Sequence, residues 1–498
     1  MKKIAAFLYK LIYIVMAVVF VKLLLDILGR DFIPRTAGGS AWRIVQWMVG
    51  IVICFGFFWW LKKTQEIWER YGWAVLLVFL AVLFAAQLLL GNELRVNPLY
   101  DYSSIYHGAI DWVVTGTFER FYDYYYYYPN NLGTMTFLMF LFQVASRFGC
   151  TDFYFVGMLA NSLLSVGMVA ATYFVCKRLF TASEAVFSLV LYALYPPMYL
   201  MAAVFYTDHL TMIFPVLLYA LYLCLDKSKG TVGTFGYAFA IAVLAVFGYL
   251  LKPTAVFMLI AVVIALFLAQ KWKKLMAVLV TFFAVYLCFN LAFDSYIYGK
   301  HLERATAEQM NTPIETWVMM GLNENPGFSP DDTEFSRSIE QPQERKEAVR
   351  EEIVKRIEGF GFGGMLEHIK NKGIIVFSDG TFELSYTFLF GFQKETKLQN
   401  TVTLLGENYN RYWDTCSSIW YVYLIFGVVC FVLMAVRSFR AGGIRPELLP
   451  VPLATFGLYC FLMMWEVHAR YMVNFFSCFI LLAVWGMSML WGRKKEGR

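Results

Sequence analysis

Charge is what this chain has least of. Only 16% of its 498 residues are Asp, Glu, Lys or Arg, where a soluble domain of this size carries roughly a quarter, and 59% are hydrophobic. A water-soluble globular protein is excluded, and the composition is that of an all-α polytopic membrane protein. A basic patch is missing too. The net charge of +6 sits in short hinges between apolar runs, where retention of Lys and Arg on the cytoplasmic side accounts for it, so nucleic acid is not a partner. The nine cysteines have no spacing of a disulfide framework or a metal site. Cys54, Cys224, Cys288, Cys430 and Cys478 lie within apolar runs, where a thiol acts as a small hydrophobe. His107, His209 and His468 show no metal-ligand pattern, and no metal is expected. No strong internal repeat is present, and the MKK start lacks a small-residue cleavage site, so it reads as a first, uncleaved span.

What the chain does have is a series of apolar segments of about spanning length. They lie near residues 6–28, 43–61, 73–91, 154–176, 184–204, 208–225, 233–250, 254–269, 275–293, 418–436, 448–465 and 471–491, with a shorter one near 132–146. These predict a bundle of about 12–13 transmembrane helices with one extracytoplasmic loop domain. Lys2/Lys3, Lys62/Lys63 with Arg70, Lys227/Lys229, Lys271/Lys273/Lys274, Arg437/Arg440/Arg445 and Arg493/Lys494/Lys495 read as cytoplasmic. That places the hinges at Asp208, Lys252 and Glu466–Arg470, and the segments 92–131 and 294–416, on the outer side. The expected division is N-terminal transmembrane helices 1–72, a catalytic transmembrane module 73–293 with a first outer loop 92–131, a loop domain 294–416, and C-terminal transmembrane helices 417–498. One segment conflicts with this scheme. With 92–131 outside and Lys177/Arg178 inside, 132–146 cannot cross completely: either it re-enters, or one of the spans is misplaced.

The loop domain holds 20 of the 36 acids against 13 Lys or Arg. Within it Ala348–Ile357 reads as a charged helix with Val349, Ile353 and Ile357 on one stripe. Gly359, Gly361, Gly363 and Gly364 then break the chain. A short helix through Leu366 and Ile369 follows, and an aromatic stretch, FSDGTFELSYTFLFGF, suits a membrane surface.

Ionisable residues concentrate between Asn92 and Asn131. Pro98 precedes Asp101, a favoured helix cap. On the helix it opens, Asp101, Ser104, Gly108 and Asp111 share one face, while Ile105, Ala109 and Trp112 share another. A row of tyrosines runs from Tyr124 to Tyr128. Three further clusters fall on the same outer face: Tyr206-Thr207-Asp208-His209, Lys252-Pro253, and Glu466 through Tyr471. Each residue has a plain use: Asp101 and Asp208 as caps, Lys252 as a snorkelling cation, Arg470 paired with Glu466 at i, i+4, the tyrosines as an interfacial belt. Ionisable groups at membrane depth are costly unless paired or functional, and their joint placement points to one site.

The order of these features carries a resemblance. An acid in the first large outer loop, YYYPNN opening the next apolar segment, the basic hinge KRLF, YTD in a hairpin turn and a late E-x-x-x-R-Y resemble the GT-C superfamily of membrane glycosyltransferases. The nearest likeness is to the family-39, protein-mannosyltransferase-like branch and its bacterial relatives, and TPIETWVMMGLNENPGFSPDD resembles their outer domain. A single acid at Asp101, PNN in place of a double proline and the lack of a β-trefoil insert are departures that leave sugar and acceptor open. The resemblance implies transfer of a sugar from a polyprenyl-phosphate donor to an extracytoplasmic acceptor hydroxyl on a wall polymer, glycolipid or protein, with inversion and without a cofactor. It implies Asp101 as base, Arg470 and Lys252 as phosphate partners, and Asp208 and Glu466 as orienting groups. Asp111, Tyr128, Asn130 and His468 complete the substrate contacts. It also implies a multi-pass protein of a bacterial plasma membrane, with the site facing the extracytoplasmic side. A transporter or flippase would show paired interrupted helices and ionisable groups at mid-span. A polysaccharide polymerase or ligase would use the same lipid-linked sugars, and a scaffold gives no reason for acids at three separate hinges.

Overall fold

The structure is a computed structural model and describes residues 2–30, 39–388, 391–393, 395–440 and 442–492. Among these residues helix is the only regular element, apart from a single bridge between Val96 and Phe392. Among the described residues, ten helices are long and apolar enough to cross a membrane, or up to eleven if the pair Ala182–Ala193 and Pro197–Ala203, bent by 71°, is one span. The count falls below the 12–13 expected because three of the apolar runs do not become straight spans. The run near 184–204 breaks at Pro196-Pro197, where two missing backbone donors stop the helix. The run near 254–269 forms a shorter apolar helix, Pro253–Leu268, and that near 132–146 a helix of 16 residues.

The first helices are α1 (Lys2–Arg30), α2 (Gly39–Lys63) and α3 (Gln65–Glu93), followed by α4 (Tyr100–Thr115), α5 (Leu132–Arg147) and α6 (Phe153–Leu179). Polar pairs sort the helix ends into two sets. At one end Lys62 meets Glu184 at 2.6 Å, Arg445 meets Glu447 at 2.9 Å, Lys271 pairs with Asp226, and Arg178 donates to the Leu223 carbonyl. At the other end Arg95 grips Asp152 at 2.7 Å, and Lys252 pairs with Asp208. Residues 493–495 of the basic C-terminus lie outside the described residues.

The Arg95–Asp152 pair resolves the conflict over 132–146. The chain leaves α3 and enters α6 at the same end, so α5 does not cross. It lies along α4, with Tyr106 and Phe142 edge to face at 5.9 Å, and Gly133 lets it close on Leu250, whose carbonyl oxygen a Cβ there would meet at 2.0 Å. Helix α4 starts at Tyr100, with Leu99 as its cap residue. Asp101 therefore sits in the first turn and caps nothing.

The segment after Lys300 folds over the end marked by Arg95. Its long helix Pro342–Ser378 contains the charged stretch 348–357 and bends only at Gly361, whose φ of 58° is open to glycine; the other three glycines stay helical. Val349 is buried, but Ile357 is 47% exposed, so the expected stripe faces the protein at one end only. The last span, Ala469–Gly492, is the most enclosed, with 89% of its apolar window buried, against 17% for Trp272–Lys300. The chain's final hinge thus delivers Glu466–Tyr471 to the middle of the bundle.

Candidate active site

Side chains from four distant segments meet at the end of the bundle where α3 stops. Asp208 follows Tyr206 in a tight turn and is fully buried; its Oδ1 pairs with Lys252 Nζ. Lys252 is presented by the hinge at which Pro253 ends the helix Gly230–Leu251. Arg470 stands in the 3₁₀ turn Ala469–Phe475, with its Nε 3.8 Å from Asp208 Oδ2. That separation is beyond hydrogen-bond reach, and both atoms are buried without a partner. On its other side Arg470 NH1 lies 3.5 Å from Glu383 Oε2.

Aromatic rings space these charges. The Tyr206 hydroxyl donates to Asp101 Oδ2 at 3.4 Å, and its ring centre is 6.0 Å from the Arg470 guanidinium carbon. Asp101 and Arg470 therefore flank one tyrosine. The Tyr471 ring lies 4.4 Å from Lys252 Nζ and 5.3 Å from the Arg470 guanidinium carbon, within cation–π range. Its hydroxyl donates to Glu466 Oε1 at 2.6 Å, and Glu466 Oε2 is buried without a partner.

The loop domain closes the cluster from above. Glu383 accepts from the Ala469 N–H at 2.8 Å and faces His468 Nδ1 at 3.1 Å. Burial pushes its carboxyl up, but His468 and Arg470 outweigh that and hold it below the usual glutamate range. Lys372 donates to the carbonyls of Gly321 and Trp465 at 2.8 and 2.7 Å, and burial, opposed by Glu466, brings its ammonium down to about 7. Beside them runs an aromatic wall in which Tyr124, Tyr128, Trp317 and Trp465 follow one another at ring distances of 5.2, 6.2 and 5.7 Å. Burial pushes the Tyr124 and Tyr128 phenols up, so both remain neutral hydroxyls.

Asp101, Asp208, Lys252, Glu466, His468 and Arg470 are thus brought together. Tyr128 stands on the flanking wall. Asn130 is exposed and donates to Asn131, whose amide in turn reaches Tyr124. Asp111 is apart: ten residues along α4 is a rise of about 15 Å, and its carboxylate is paired with Arg120 at 2.9 Å. The i, i+4 pair of Glu466 and Arg470 does not form, because residues 466–468 are not helical and Arg470 turns to Asp208 and Glu383 instead.

Sequence reasoning placed Tyr206 in the hairpin-turn cluster without giving it a role, and missed Lys372 and above all Glu383. The one signal for Glu383 was an acid inside an otherwise apolar, aromatic stretch. No group of three or more His, Cys, Asp or Glu among the described residues could hold a metal ion. The arrangement offers carboxylates able to take a proton, beside cations able to receive negative charge.

No curated protein matches the chain. Among solved structures it is similar to the oligosaccharyltransferase of Archaeoglobus fulgidus, crystallised with Zn and sulfate, at 14% identity and a TM-score of 0.39, over 83% of this chain and 49% of that one. It therefore spans about half the length of that enzyme. It is also similar to ArnT from Cupriavidus metallidurans bound to undecaprenyl phosphate (13% identity, TM-score 0.36, 86% of this chain and 79% of that one) and in the apo state (14%, 0.33, 84% and 78%). A family model described as "Conserved hypothetical integral membrane protein" matches residues 1–490, and the chain belongs to that family.

Proposed function

We propose that this protein is a membrane glycosyltransferase that moves a sugar from a polyprenyl-phosphate donor to an acceptor hydroxyl. The observation that carries the reading is the meeting of Asp101, Asp208, Lys252 and Arg470 at one end of an apolar bundle. Asp208 Oδ2 and Arg470 Nε are left there, buried, without hydrogen-bond partners. Polar atoms so placed are expensive unless a ligand engages them.

Asp101 takes the acceptor's proton as its oxygen attacks C1 of the sugar, a role worth about 10²–10⁴ in rate. The bond from C1 to the phosphate oxygen breaks, and the electron pair leaves with the phosphate. Lys252 and Arg470 stabilise that developing charge, which is often the larger contribution. A phosphate needs no general acid to leave, and a single displacement inverts C1. Asp208, enclosed between two cations, is their counter-ion. Glu466, with one unengaged oxygen, is better placed to receive a sugar hydroxyl, and the wall of Tyr128, Trp317 and Trp465 offers ring faces to the saccharide.

Lys62, Arg178, Lys271 and Arg445 lie at the bundle end opposite the cluster. The positive-inside bias therefore supports a site facing the extracytoplasmic side; a bacterial plasma membrane is what the family resemblance implies. A transporter built on paired interrupted helices is disfavoured, since the described residues contain one bent pair.

The test is to give the purified protein a panel of labelled polyprenyl-phosphate hexoses with cell-envelope acceptors. One label leaving its lipid supports the reading. Retention of every label, with protein that is folded, overturns it.

A further inference from the structure

We propose that Glu383 is a positioning residue of this site: it clasps the His468-Ala469-Arg470 segment and sets the Arg470 guanidinium where the donor's phosphate is received. The second half of that statement rests on the proposed transfer from a lipid phosphate, and the first half does not.

Three observations meet at this residue. The first is the number of groups it engages. One carboxylate reaches a backbone N–H at 2.8 Å, an imidazole nitrogen at 3.1 Å and a guanidinium at 3.5 Å, all from consecutive residues at the mouth of the most enclosed span. Arg470 is thereby stretched between acids on two segments, Glu383 on one side and Asp208 on the other. Its Nε is held unbonded between them, where an incoming oxyanion could meet it.

The second is backbone strain. Phe382 and Glu383 have φ of 52° and 56°, the left-handed region, at two successive residues that carry side chains. Such conformations cost on the order of 1–3 kcal/mol each and persist where the surroundings enforce them, commonly at functional sites. The third is a device that enforces them. Asp379 accepts from the Thr381 N–H and hydroxyl at 2.9 and 2.7 Å and from the Glu383 N–H at 2.9 Å. Phe382 anchors the same turn in the core, edge to face with Trp420 at 5.0 Å. The turn holds one acid at one angle, over Arg470.

The charge balance agrees with this role. The groups facing Glu383 are His468 and Arg470 from the last hinge and Asp379 from its own turn. With Asp208 already shared by Lys252, loss of the Glu383 charge leaves Arg470 half-neutralised and free to swing.

The test uses the full chain in detergent micelles with Glu383→Gln, which keeps an oxygen for the Ala469 N–H, and Glu383→Asp, which keeps the charge. Arg470 is followed by its rate of modification with phenylglyoxal, mapped by mass spectrometry. Arg345, held by the carbonyls of Ile339, Gln309 and Asn311, is the internal reference that a loosened fold would also expose. Binding of a polyprenyl monophosphate is measured on the same samples. Arg470 should react several-fold faster in Glu383→Gln with Arg345 unchanged, and the lipid phosphate should bind about tenfold more weakly, with Glu383→Asp recovering part of both. An unchanged Arg470 rate, or equal acceleration at Arg345, overturns the clasp. Faster Arg470 with undiminished lipid affinity overturns its role toward phosphate. A wild-type protein that binds no polyprenyl phosphate overturns the donor reading and leaves the clasp to be decided by the Arg470 rate.

Discussion

At the scale of single residues, the site is built around two buried charges that cannot be removed one at a time. Lys252 and Asp208 form a buried pair, and deleting one member of such a pair typically costs about 3–5 kcal/mol because the other charge is stranded. Asp208→Asn should therefore lower the melting temperature markedly, and Asp208→Asn combined with Lys252→Met should recover much of the loss. A double variant no more stable than the single one would show that the two charges are not coupled. Arg470→Lys should cut transfer by about tenfold or more, since a point charge cannot reach Asp208 and Glu383 together as a guanidinium does; unchanged turnover would remove Arg470 from the site. Asp208, Lys252 and Arg470 were legible in the sequence because each interrupts apolar surroundings. Glu383 was not, since it lies in a segment with 20 acids, among which its aromatic surroundings alone did not single it out. Asp111 was read into the site because helix periodicity gives the face a residue shares and not its height along the axis.

At the scale of elements, the loop domain is bolted to the last hinge by close backbone approach. A Cβ on Gly321 would lie 2.6 Å from the Trp465 carbonyl carbon and oxygen, and the Glu466 N–H donates to the Trp317 carbonyl at 3.0 Å. Gly321→Ala should force this seam apart, lowering thermal stability and transfer together; a neutral outcome on both would show that the seam is not under constraint. Lys372 ties the same seam. The folded protein holds its pKa at about 7, whereas the unfolded chain holds a lysine at about 10.4. Between these values the unfolded state binds the extra proton, so the Lys372 contribution to stability rises with pH and is least favourable below about pH 7. The melting temperature of the wild type should accordingly gain on that of Lys372→Met from about pH 7 to about pH 9.5, and parallel curves would contradict the assignment. Most spans were legible from long apolar runs. The bend at Pro196-Pro197 and the short Pro253–Leu268 were not, because composition alone does not tell a straight crossing from a broken one. The lie of α5 was foreseen only as a conflict, and the Arg95–Asp152 pair is what settles it.

At the scale of the whole molecule, the fold class was plain from composition, while the arrangement of the helices was not. Ala469–Gly492 and Trp272–Lys300 are both apolar enough to span, yet one is central and the other peripheral. Lipid is as apolar as the protein interior, so hydropathy cannot rank them. The central position of the last span is what carries Arg470 to the acids of the earlier segments. Orientation is testable separately: cysteine placed at exposed Glu351 should react with an impermeant thiol reagent in intact cells, and cysteine at Lys229 only after lysis. The reverse pattern would put the site on the cytoplasmic side. Whether carboxylates and cations scattered along the chain form one transfer site with Asp101 as its base is decided by the turnover of Asp101→Asn on the donor that the wild type accepts. Turnover should fall by about 10² or more with unchanged expression and melting temperature; transfer at the wild-type rate would remove Asp101 as the base.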